Sequence, residues 1–97
     1  MTMKIASEIA QGVAERCEGW SVYRCTIEAA YYWHNKAIAE VAFSGVAELR
    51  NDAGKKMTFD LGIDGAIVSH PVGEQVERDF VDLCVAQISY TLKGERQ

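Results

Sequence analysis

Alternate residues between Tyr23 and Ile67 belong to one apolar set, and few folds can use such a run. The odd positions read Tyr23, Cys25, Ile27, Ala29, Tyr31, Trp33, then Ala37, Ala39, Val41, Phe43, Gly45, Ala47, Leu49, then Met57, Phe59, Leu61, Ile63, Gly65, Ile67. Nearly every charge in the stretch falls on the even positions. Successive side chains of a strand point to opposite faces, so a period of two over this length demands long antiparallel strands with one dry face.

The pattern predicts strands over 21–33, 37–50 and 56–69. The loops His34-Asn35-Lys36 and Asp52-Ala53-Gly54 would set Trp33 opposite Ala37 and Asn51 opposite Lys55, with Gly54 where a three-residue hairpin needs a left-handed residue. That register predicts the inner rows Tyr23–Ala47–Phe59, Cys25–Gly45–Leu61, Ile27–Phe43–Ile63, Ala29–Val41–Gly65 and Tyr31–Ala39–Ile67. Small residues down the middle strand leave a trough that suits helices lying across the sheet.

Two helical patterns flank the strands. Ile5, Ile9, Val13 and Cys17 recur every fourth residue, which predicts a helix over 3–18 stopped at Gly19. Residues 74–93 predict a second helix, packed through Val76, Phe80, Leu83, Cys84 and Ile88, with Glu74, Glu77 and Asp79 at its positive end. The expected fold is α+β in the order α-β-β-β-α: a three-stranded antiparallel meander with two helices packed on one face, spanning residues 1–97 as a single domain.

The formal charge of −4 argues against nucleic acid, because a domain without a Lys/Arg cluster neutralises phosphates poorly. The element order resembles that of double-stranded RNA-binding domains, a resemblance that implies lysines at the start of the second helix. Here that segment reads Gly73-Glu74-Gln75-Val76-Glu77, so nucleic acid is not the expected partner. Cys17, Cys25 and Cys84 lie on apolar faces outside any C-x-x-C spacing and read as buried free thiols. The first residues lack the apolar core of a signal peptide, no run is long enough to span a membrane, and a cytoplasmic protein is expected.

Two surface regions remain. Val81, Val85 and Leu92 widen the apolar arc of the second helix to roughly 200°, more than one packing face needs. The first helix covers this excess, or a homodimer or another protein does. On the outer sheet face, otherwise acidic, the predicted row Tyr32–Ile38–Val68 lies between His34 and His70 and forms a second candidate contact.

No phosphate loop, H-E-x-x-H, G-x-S-x-G or EF-hand spacing occurs, so no cofactor or metal is expected. The leading expectation is a small non-enzymatic binding protein acting by protein–protein contact on a partner with a basic surface: an inhibitor, immunity or accessory factor, with a homodimer as one form. The alternative is a small-ligand binder or enzyme with its site at the sheet end near His34 and His70.

Overall fold

The computed structural model describes residues 2–33, 39–62, 69–71 and 74–95. Helix α1 (Thr2–Arg16) leads into strands β1 (Trp20–Trp33), β2 (Ala39–Asn51) and β3 (Lys56–Leu61). A short strand β4 (Ser69–Pro71) and helix α2 (Glu74–Glu95) follow. The sheet is antiparallel in the order β1-β2-β3, with β4 also paired to β2. The fold is α+β, as the alternation predicts.

Both helices cover one face of the sheet. The buried residues of β1–β3 are Ile27, Val41, Phe43, Ala47, Leu49, Phe59 and Leu61, all at odd positions. They share a core with Ile5, Ile9, Val13 and Cys17 from the α1 side and Val76, Phe80, Cys84 and Ile88 from α2. The Phe43 and Phe80 rings meet 5.3 Å apart, tilted by 41°. The molecule measures 51 × 23 × 17 Å. The long dimension follows from strands of 14 and 13 residues, and the short one from a single sheet under a single helix layer.

The β2–β3 register agrees with the expectation: Gly45 faces Leu61 and Ala47 faces Phe59. The turn between them closes through Asn51. Its backbone N–H donates to Lys55 O, and its Oδ1 accepts from the N–H groups of Ala53 and Lys55. Gly54 has φ 84°, the left-handed residue this turn requires.

The β1–β2 register corrects the expectation by two residues. Cys25, not Tyr23, faces Ala47, and Trp33 faces Ala39 rather than Ala37. Five residues, not three, separate the strands, and an even slip keeps inward residues opposite inward ones. A β-bulge between Val22 and Arg24 then inverts the parity at the start of β1. Trp20 and Val22 pack against the core, while Tyr23 is 55% exposed.

The third strand is also corrected: it stops at Leu61 instead of running to 69. Gly62 has φ 76°, and a Cβ there would lie 2.4 Å from the carbonyl oxygen of Phe43. Extended backbone cannot continue through that conformation. In β4, Ser69 faces Ala42, His70 faces Val41 and Pro71 faces Glu40. His70 therefore occupies the place opposite Val41 that the expected rows assign to Gly65, and Tyr31–Ala39–Ile67 is replaced by Tyr31–Val41–His70. Ile63, Gly65 and Ile67 lie outside the described residues.

Helix α1 packs on β1 and beside α2. The helices run parallel: Gly12 meets Val85, Glu8 shares a groove with Arg78, and Arg16 and Cys17 share a recess with Ser89 and Lys93. Gln87 Nε2 donates to the carbonyl of Asp60 at 3.3 Å, which ties the other flank of α2 to β3.

Candidate binding surfaces

The wide apolar arc of α2 is core. Val81, Val85 and Leu92 are 9%, 4% and 3% exposed, so a partner reading of these three residues is corrected. They occupy the flank of α2 that meets α1, and the absence of a side chain at Gly12 lets the two helices close over them. Leu83 moves the opposite way. Expected in the packing stripe, it lies one turn before Gln87 on the flank towards β3 and is 38% exposed.

The candidate site at the sheet end is only partly described. Tyr32 is paired with Glu40, and Glu40 with Pro71, so the row Tyr32–Ile38–Val68 is not formed. The two-residue slip in β1–β2 and the break after Leu61 are the reasons. His70 lies in β4, opposite Val41. His34, Ile38 and Val68 lie outside the described residues. Among the described residues no group of His, Cys, Asp and Glu has the makings of a metal site.

The outer sheet face is bare among the described elements. Its rows run Arg24–Glu48–Thr58, Thr26–Val46–Asp60, Glu28–Ser44 and Ala30–Ala42–Ser69. Arg24, Thr26, Glu28, Ala30, Val46, Thr58 and Asp60 are all exposed, Val46 by 44%. This face was expected to be acidic. Its described positions carry Arg24, Arg50 and Lys56 against Glu28, Glu40, Glu48 and Asp60, a small acidic excess. The first half of α2 is acidic as well, with Glu77, Asp79 and Asp82 against Arg78.

At one border of the bare face the bulge creates a cluster that sequence patterning missed. The Arg50 guanidinium stacks 3.4 Å above the Tyr23 ring and pairs with Glu48 at 3.3 Å. Only the bulge turns Tyr23 to this side, and a bulge leaves no residue-type signature here.

Compared with known proteins, the chain matches no protein family, no curated protein and no solved structure.

A groove of about 420 Å³ runs between the helices, lined by Glu8, Glu15, Arg16, Arg78, Asp82 and Val85 among others. It is open to solvent and its walls carry both signs of charge, unlike the enclosed apolar pockets that hold small ligands. Cys25 and Cys84 are poor nucleophiles. Burial, with a smaller contribution from neighbouring Cys25, pushes the Cys84 thiol up to about 12, and burial raises Cys25 as well. Both stay protonated at neutral pH, the reverse of what a reactive cysteine needs. No described helix is long and apolar enough to cross a membrane.

Proposed function

We propose that this chain is a non-enzymatic binding protein that acts by protein–protein contact, as an inhibitor, immunity or accessory factor of a larger macromolecule. The observation that carries this reading is the bare sheet face. Thr26, Ala30, Ala42, Ser44 and Val46 form a low surface of short side chains, with a half-exposed Val46 in its middle and charges of both signs around it. A flat face with an apolar centre and a polar rim suits a macromolecular contact better than a small molecule, which needs concavity. The net charge of −4, to which the first half of α2 contributes, would speed association with a basic partner.

The test is capture of a partner from native lysate by the wild-type chain, Val46→Arg and Thr26→Arg in parallel. Both positions are exposed, so thermal stability should hold while the charge removes the captured partner. A partner retained equally by all three chains would overturn the assignment to this face. Recovery of no partner by the wild-type chain would overturn the reading itself.

A further inference from the structure

Beyond that reading, and independently of it, we propose that two copies of this chain join through the free edge of β1, antiparallel about Thr26, into one continuous sheet. Strand β1 has β2 on one side and no described element on the other. From Arg24 to Trp33 it pairs regularly with β2 and contains no proline, glycine or lysine. Edge strands that must stay single are shortened, bulged or charged against pairing; the guards on this stretch are the bulge at its start and the charges Arg24 and Glu28, and those charges are complementary to a second copy.

The charges select a second copy as the occupant. Arg24 and Glu28 are both exposed on the outer face, and neither has an ion pair with a described residue. Four residues of strand hold them about 13 Å apart, too far to pair within one chain. Antiparallel pairing centred on Thr26 puts Arg24 of each copy directly opposite Glu28 of the other. Cys25 then faces Ile27 on the inner side, so inward residues oppose inward residues. Centring on Glu28 instead would set that carboxylate against its own copy.

The helix layer permits the join. Adjacent strands lie about 4.8 Å apart, whereas packed helices need about 8–10 Å, so helices beside such a seam must be slim. With Gly12 against α2, the helical period turns Met3, Ala6, Ala10 and Ala14 to the opposite flank of α1, above the free edge, so three of these four side chains are alanines and the exposed, flexible Met3 is the one that has to fold aside. Ala6 and Ala10 are half-buried there, and Ala14 is exposed.

Sedimentation velocity at micromolar concentration tests the join. The wild-type chain should be a dimer. Arg24→Glu and Glu28→Arg each replace two attractive pairs with two repulsive ones and should weaken it by about tenfold or more, with the circular dichroism spectrum of the folded chain unchanged. An equimolar mixture of the two variants should dimerise again, because two carboxylates on one copy then meet two guanidinium groups on the other across the seam. A monomeric wild-type chain, a dimer indifferent to both reversals, or a mixture that stays monomeric would overturn the proposal. So would a monomer produced by Val46→Arg, which would place the contact on the sheet face rather than its edge.

Discussion

Gly12 and Val85 meet where the two helices touch: a Cβ on Gly12 would lie 2.7 Å from Cγ2 of Val85. This one contact explains why the broad apolar arc of α2 is dry without a partner. Gly12→Leu should force the helices apart and cost about 1–3 kcal/mol. Val85→Glu should destabilise the chain by a similar or larger amount, because it places a charge beside the core. Denaturant midpoints measure both. A folded Val85→Glu protein of wild-type stability would return Val85 to the surface.

Gly62 and Gly54 share a left-handed backbone but not a neighbourhood. At Gly54 a Cβ meets nothing within 4 Å, so Gly54→Ala should cost only the conformational term, about 1–2 kcal/mol. At Gly62 the Cβ also strikes the backbone at Phe43 and Ser44. Gly62→Ala should therefore be the more damaging by about 1 kcal/mol or more. Equal losses in urea titrations would mean that the break after β3 tolerates a side chain.

Cys84 predicts an alkaline limit. Its folded pKa of about 12 lies above the unfolded value near 9, so the protonated thiol favours the folded state. This contribution is fully present below pH 9 and is lost as the pH climbs towards 12. Cys84→Ala should lower stability at neutral pH by vacating core volume, yet lose less stability than the wild type over the alkaline range. Parallel curves for the two proteins would exclude the thiol as a cause.

The Tyr23–Arg50 stack should be measurable in a double-mutant cycle. Tyr23→Ala, Arg50→Ala and the pair should give a coupling of about 0.5–1 kcal/mol, the usual size for a cation over an exposed ring. Zero coupling would mean that the ring contact adds nothing to stability.

Much of the architecture is legible without coordinates. Period-two alternation identifies the strands and their inner face, because a pleated chain sends neighbours to opposite sides. Four-residue spacing of Ile5, Ile9, Val13 and Cys17 does the same for α1. The 51–55 turn, with Asn51 and Gly54, carries its geometry in its residue types, and the β2–β3 register follows from it.

The candidate site was less legible. Parity cannot distinguish registers two residues apart, so the β1–β2 alignment and the Tyr32 row depended on an assumed loop length. The bulge that exposes Tyr23 and the rotation of α2 that buries Val81 while exposing Leu83 are decided by how the layers fit together.

Which residues are apolar, and at what spacing, was thus settled along the chain itself, since strand and helix periods are local. Which apolar residues end up dry, which strand edge stays open and where the charges gather were settled only in three dimensions. Those outcomes depend on contacts such as Gly12 with Val85, which join residues far apart in the chain.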